Sequence, residues 1–387
     1  MIMVREIKLP SGTIKTPVLW LGHIVKGKPV PWSFFEVDNV IMNACDIFSN
    51  KKAREKMEKN GIFEYLKEEG AGKAPKYLMI DSGGFLFQAK HMVNVTAEEI
   101  FDFYVKAKPT LAVNLDHPLS PAVTLKENSQ RLELTMRNLE FMLNSMEKVE
   151  EKFPIIPTIH GYDAITLKSV IKKIAQLYDS YSDLIPMVAL GSLVPLIRST
   201  GKFEDRYTKI WGLTSRRKTA FEIILTAKEL IKNELNDIPI HVFGIGGTSM
   251  MFLCYYAGAD SIDSIGWRMS AAHGFVHVFQ VGERYFSKRE EETTWNPPLS
   301  EEEFKMLQEC ECPVCKDNPL KLRDRFTDRA LHNAFVYVKE AKFLASLKED
   351  ELEAYVDKRL SNTQLHSLFE YVKNRKKQKR IEHFLID

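Results

Sequence analysis

Short apolar runs recur along the chain, and between most of them the apolar positions adopt helical spacing. The runs are Thr16–Leu21, Val40–Asn43, Tyr77–Ile80, Leu111–Leu115, Pro154–Ile159, Pro186–Leu190, Ile240–Phe243 and the brief Ser261–Ile262. Runs this short and this apolar predict strands buried on both faces, as in parallel sheets. Helical spacing covers about 51–69, the stretch opening at Thr96, and about 128–151, 166–179, 217–235 and 248–257. Thr96 followed three residues later by Glu99 has capping-box chemistry, which fixes a helix start. Eight runs alternating with helices over 16–263 predict an α/β protein built as a (β/α)8 TIM barrel, whose usual length is about 250 residues. A doubly wound open sheet shows the same alternation, and periodicity alone leaves it open.

The polar residues that end the runs change this picture from a fold to a site. They are Asp81, Asp116, His160, Gly191, Gly244 and Asp263. In a barrel the strand C-termini converge on the face that carries active sites. Three carboxylates around one mouth raise one another's pKa and are costly unless used. The stretch Tyr77–Phe85 is the most concentrated case: an apolar run meets Asp81, Ser82, Gly83 and Gly84. Paired glycines there allow backbone to approach a flat or charged ligand.

Composition narrows the class. The chain has 387 residues, 44% hydrophobic and 27% charged, with a net charge of +2. These are ordinary values for a globular protein, and bulk charge does not announce a nucleic-acid partner. Basic residues cluster at Arg216–Lys218 and at 373–380, where a phosphate-contacting surface competes with a simple solvated face. No apolar run has the length of a membrane span, so no membrane partner is expected. The N-terminus lacks a signal-peptide pattern. Five cysteines make no disulfide framework, and three of them fall within six positions. That spacing points to metal in a reducing compartment, hence to a cytoplasmic location. Cys45 and Cys254 sit in apolar surroundings and read as core thiols.

Cys310, Cys312 and Cys315 present three thiolates from one tight turn. Zinc takes four tetrahedral ligands, and three cysteines with one histidine are a common structural set. His332 is the downstream candidate for the fourth ligand. Four filled positions leave none open, so the zinc is expected to be structural. The expected organisation is a catalytic barrel over 1–299, a zinc-binding subdomain over 300–345 and a basic, helical C-terminal extension over 346–387.

These segments together resemble the tRNA-guanine transglycosylase superfamily. Asp81-Ser-Gly-Gly-Phe85 resembles a motif of that family. Gly258-Ala-Asp-Ser-Ile-Asp-Ser264 resembles its nucleophile segment, Phe243-Gly-Ile-Gly246 a strand end, and Cys310, Cys312 and Cys315 with His332-Asn333 its zinc site. The matches run in the family's order over about residues 16–340. The resemblance implies a pentosyltransferase that exchanges guanine in a polynucleotide for a free 7-deazaguanine base. It implies Asp263 as nucleophile on C1′ of the target nucleoside, and Asp81 as general acid and base. Asp116 would grip the base, and Ser82, Gly83, His160, Gly191 and Leu193 would line its pocket.

The chain also departs from the family pattern. His160 stands where the family has glutamine, and Ile197 where it has an acid that accommodates an aminomethyl base. Loss of that acid favours a neutral incoming base, such as 7-cyano-7-deazaguanine. Trp267-Arg268-Met269 replaces the family's Pro-Thr-Arg. The archaeal tRNA enzymes carry further C-terminal domains for which this chain has no room. The resemblance is therefore taken as strongest to the DNA-modifying branch, with DNA as the expected partner. A tRNA loop is the alternative substrate, and a non-catalytic nucleic-acid-binding subunit a third reading. A homodimer or accessory proteins are further expectations by analogy.

Overall fold

A computed structural model describes residues 5–89, 95–198, 206–288 and 297–384. Its centre is a parallel barrel. The eight strands are Val18–His23, Asn39–Asn43, Tyr77–Asp81, Leu111–Val113, the pair Ile155–Ile156 and Thr158–Ile159, Val188–Leu190, Ile240–Val242 and Ser261–Ser264. Each pairs in parallel with its sequence neighbour, and the eighth pairs with the first through Asp263 opposite Trp20. The fifth strand is broken at Pro157, which has no N–H to give the ladder. Its first half pairs with the fourth strand and its second half with the sixth. Asn114 Oδ1 bridges the gap by accepting from Thr158 N at 2.8 Å. Pairing on both sides of this strand closes the sheet and removes the open-sheet alternative.

Side chains alternate along the strands, as the two-residue repeat requires. Trp20, Ile41, Met79, Val113, Ile156 and Ala189 fill the barrel. Leu19, Leu21, Val40, Met42, Leu78 and Ile80 face the surrounding helices. Those helices include Ala97–Ala107, Leu125–Met146, Ala164–Tyr181, Arg216–Glu234 and Thr248–Ala257. Thr96 caps the first of them with the expected capping box. The helical stretch 51–69 is two helices, Lys51–Asn60 and Ile62–Glu69, because Gly61 adopts a φ of 84° between them. A hairpin absent from the sequence expectations, Glu6–Leu9 with Gly12–Lys15, sends Ile7 and Ile14 into the barrel interior beside Val18 and Tyr77. It plugs the end opposite the strand C-termini.

A second hairpin, Phe275–Val278 with Gly282–Tyr285, packs against the cysteine cluster through Val276, Val278, Leu307, Val314, Leu322 and Leu331. Helix Phe326–Ser346 carries His332 in that cluster and Tyr337 and Leu344 in the main core. Helices Glu349–Leu360 and His366–Phe384 add Leu352, Val356, Leu360, Phe369 and Val372 to the same core.

Much of the basic stretch 373–380 serves this docking. Arg375 pairs with the buried Glu222, which Tyr371 also contacts. Lys376 donates to Tyr256 O at 2.9 Å, and Lys373 lies 3.4 Å from Glu353. Arg375 and Lys376 hold this helix to the barrel and Lys373 ties it to the helix before it, which leaves exposed Lys377 facing solvent. The side chains of Lys379 and Arg380 lie outside the described residues. Among the described residues, no helix is long and apolar enough to cross a membrane.

Candidate active site

Asp81 ends the third strand, and its neighbours decide its charge. Asn43, at the end of the second strand, caps the following helix with its Oδ1 on Cys45 N at 2.9 Å. Its Nδ2 is then left to donate to Asp81 Oδ2. Burial pushes the Asp81 carboxyl up to about 7, and the charges of Asp116 and Asp263 push in the same direction. The Gly83 amide and Asn43 offset part of this. A carboxyl poised near neutrality can both give and take a proton at working pH.

The two glycines after Ser82 are steric requirements. Gly83 has a φ of +83°, and a Cβ there would meet Cys45 N at 2.7 Å. A Cβ on Gly84 would meet Asp116 O at 2.2 Å. The close approach foreseen for a ligand is in part an approach of backbone to Asp116. It brings Ser82 Oγ to donate to Asp116 Oδ1 at 2.7 Å, with both residues buried.

His160 completes this group. Leu119 N donates to Ser192 Oγ at 2.8 Å, and Ser192 Oγ lies 2.8 Å from His160 Nδ1. Ser192 Oγ can donate to Nδ1 or accept from it, and the carboxylate facing Nε2 favours donation, which places the imidazole proton on Nε2. Nε2 faces Asp116 Oδ2 at 3.0 Å, off line for a full hydrogen bond. Gly191 makes room for this ring: a Cβ there would lie 2.6 Å from His160 Cε1. Ser192 holds a left-handed φ of 65°, a conformation disfavoured for a non-glycine residue and found disproportionately at functional sites. Leu193 and Ile197, which follow it in the chain, are buried.

Asp263, on the eighth strand, accepts from Gly244 N at 2.9 Å through Oδ1. Thus the third, fourth, fifth, sixth, seventh and eighth strands all deliver a residue singled out in the sequence to one mouth. Asn43, Ser192 and His241 were not singled out. Asn43 was visible as the polar end of an apolar run and Ser192 as the neighbour of Gly191. His241 was visible only as a lone polar residue inside a strand.

Asp81 also makes a prediction about stability. The folded protein holds its proton up to about pH 7, whereas the unfolded chain releases it near 3.8. Stability therefore falls as pH rises through that window, by up to about 4 kcal/mol at 1.36 kcal/mol per pH unit. Asp81→Asn removes this slope. The variant should gain stability over the parent at pH 8 and much less at pH 5, measured by urea unfolding. An equal difference at the two pH values would refute the raised carboxyl.

Cys310, Cys312, Cys315 and His332 come together as a group of four, with all ligand atoms within 4.8 Å of one another. The sulfurs lie 3.8, 3.3 and 3.4 Å from His332 Nδ1. A tetrahedral zinc with bonds of about 2.0–2.3 Å needs ligand separations of about 3.5 Å, so the donor set and spacing fit that ion. His332 Nε2 donates to His277 O at 2.8 Å, which leaves Nδ1 free to coordinate. Asn333 supports the same turn by accepting from His277 N and donating to the carbonyls of Trp267 and Phe275.

Comparison with known proteins follows the same line. Residues 4–365 match the family model described as queuine tRNA-ribosyltransferase. The tRNA-guanine(15) transglycosylase of Pyrococcus furiosus is 26% identical over 373 residues, covering 92% of this chain and 54% of that protein. The protein of the same name from Methanococcus aeolicus is 26% identical, covering 92% and 50%. That of Methanocaldococcus jannaschii is 24% identical, covering 84% and 44%. The chain spans about half the length of these relatives.

Proposed function

The chain belongs to the queuine tRNA-ribosyltransferase family, and from that premise we propose that it exchanges a guanine in tRNA for a free 7-deazaguanine. The observation that carries the chemistry is the group of three carboxylates at one mouth, with one of them held protonated near neutrality. In the first half-reaction an Asp263 oxygen forms a bond to C1′ of the target nucleoside while the bond from C1′ to guanine breaks. Asp81 gives its proton to the departing base. In the second half the incoming base loses a proton to Asp81, its nitrogen attacks C1′, and Asp263 leaves as a carboxylate. One hard displacement is thereby split into two easier ones. The target base must leave its stack to reach the mouth.

Asp116 is the base anchor in this reading. Ser82 donates to one of its oxygens and His160 Nε2 faces the other, and each oxygen keeps a lone pair for the base's ring N–H and exocyclic amine. Buried Ile197 offers no charge to a cationic substituent, which supports the neutral 7-cyano base. Bound zinc would contribute structure through Cys310, Cys312, Cys315 and His332 and takes no part in the exchange.

The departures in sequence pointed to DNA, but the relatives are named for tRNA, and tRNA is the polymer put forward. A cavity of about 1080 Å³ supports a polynucleotide partner. It lies between the loop after the seventh strand and the C-terminal helices, and Arg198, Arg217, Lys358 and Arg359 line it. The same loop touches the nucleophile's strand, since Ser264 donates to Gly246 O. Cations beside a catalytic mouth suit phosphate contacts that position a strand.

The test is transfer of labelled guanine into bulk tRNA, single-stranded DNA and double-stranded DNA. Label entering tRNA alone is expected. Label entering DNA and not tRNA would return the assignment to the DNA branch, and label entering none of them would refute base exchange.

A further inference from the structure

The barrel interior holds a buried polar chain that the mechanism above does not use. Trp20, Ser261 and His241 are each 0% exposed, among apolar neighbours such as Ile41, Met79 and Ala189. Polar groups are expensive in such a place unless each has a partner. Trp20 Nε1 can only donate, and it donates to Ser261 Oγ at 2.8 Å. Ser261 Oγ lies 2.8 Å from His241 Nδ1. The hydroxyl can give its one proton to Nδ1 or accept from it through its second lone pair, and the carboxylate facing Nε2, which can only accept, selects the first. The imidazole proton then resides on Nε2. That atom is buried without a formed hydrogen bond, and it faces Asp263 Oδ1 at 3.4 Å. The order of donors from Trp20 outward therefore aims one N–H at the nucleophile from beneath.

We infer that His241 is a positioning residue for Asp263, fixed in its donor tautomer by Ser261 and Trp20. The inference rests on the reading of Asp263 as nucleophile. Oδ1 already accepts from Gly244 N at 2.9 Å, so both donors act on the same oxygen. Oδ2 is left to attack C1′. A donor at Oδ1 holds the carboxylate in one orientation. It also steadies the charge that returns to Asp263 when the glycosyl bond breaks in the second half-reaction. Catalytic hydrogen bonds are often long before substrate binds, and the separation here is 3.4 Å.

The experiment compares His241→Phe, His241→Gln, Ser261→Ala and Asp263→Asn in the full chain, with zinc content and thermal unfolding as folding controls. His241→Phe keeps a ring in the same space and removes the donor. Its kcat for guanine exchange should fall about 10- to 100-fold, the usual effect of one hydrogen bond to a charged group. KM for polynucleotide and for free guanine should stay within about twofold, because neither ligand touches His241. His241→Gln places an amide N–H near the lost Nε2 and should recover most of the rate. Ser261→Ala releases the tautomer and should lower kcat in the same way, which keeps the inference testable if the phenylalanine variant does not fold. Unaltered kcat in folded His241→Phe or in Ser261→Ala, beside an inactive Asp263→Asn, would overturn this inference alone. Glutamine as damaging as phenylalanine would also overturn it. A fully active Asp263→Asn would overturn the nucleophile assignment, and this inference with it.

Discussion

Asp263→Asn should lose base exchange by a factor on the order of 10⁴ or more, the scale on which enzymes lose a covalent nucleophile. The amide nearly preserves shape but has no charge with which to attack C1′. Its oxygen can still accept from Gly244 N, so the local backbone has reason to stay in place. Nor does the substitution open a cavity in the core. Removing one of three neighbouring carboxylates also relieves Asp81, whose proton affinity Asp263 helps to raise. The expected variant is therefore inactive but folded, and at least as stable as the parent. Exchange of labelled guanine and thermal unfolding measure the two halves of this expectation. Activity within about tenfold of the parent would exclude a covalent role for Asp263.

The second large effect concerns the metal. Cys312→Ser, or removal of zinc by a chelator, should lower the unfolding temperature by more than about 10 °C and loosen the second hairpin. Metal binding in isolated structural zinc units is worth on the order of 10 kcal/mol, because the site does not exist until it folds. Part of that figure should be visible here, since the core around the cluster is small. It consists of Val276, Val278, Leu307, Val314, Leu322 and Leu331 with the cysteines themselves. The damage should travel to the barrel, because helix Phe326–Ser346 carries His332 near one end and the buried Tyr337 one and a half turns later. Elemental analysis with calorimetry is the check. A preparation without zinc that unfolds like the parent would contradict a structural metal site.

The strands were legible because burial on both faces writes itself into short apolar runs. All eight runs correspond to barrel strands, and the break in the fifth falls at Pro157, a residue whose missing N–H is plain in the sequence. The cysteine turn was legible for a different reason: its spacing is local. The hairpins were not. Ile7 and Ile14 become core only because the open end of the barrel lies above them, and nothing near them in sequence says so. The same limit hid the partners of the acids. Asn43 reaches Asp81, Ser192 orients His160, and His241 faces Asp263, each across a different strand. The neighbours of His160 were hidden in the same way, since its two nitrogens face Ser192 and Asp116 from other strands. The packing role of the basic stretch near the C-terminus was hidden as well. Its charges suggested phosphate, but Glu222, which fixes Arg375, lies in a distant helix. Sequence displays residue types and local spacing, and a site made from strand ends depends on pairings that only the closed barrel creates.

The most direct measurement concerns the bond on which the account rests. The protein is incubated with tRNA in the absence of free base, denatured, digested and examined by mass spectrometry. A ribose-linked adduct is expected on the peptide containing Asp263, lost in Asp263→Asn and discharged when guanine is added. An adduct on another residue, or exchange that proceeds with no adduct formed, would contradict it.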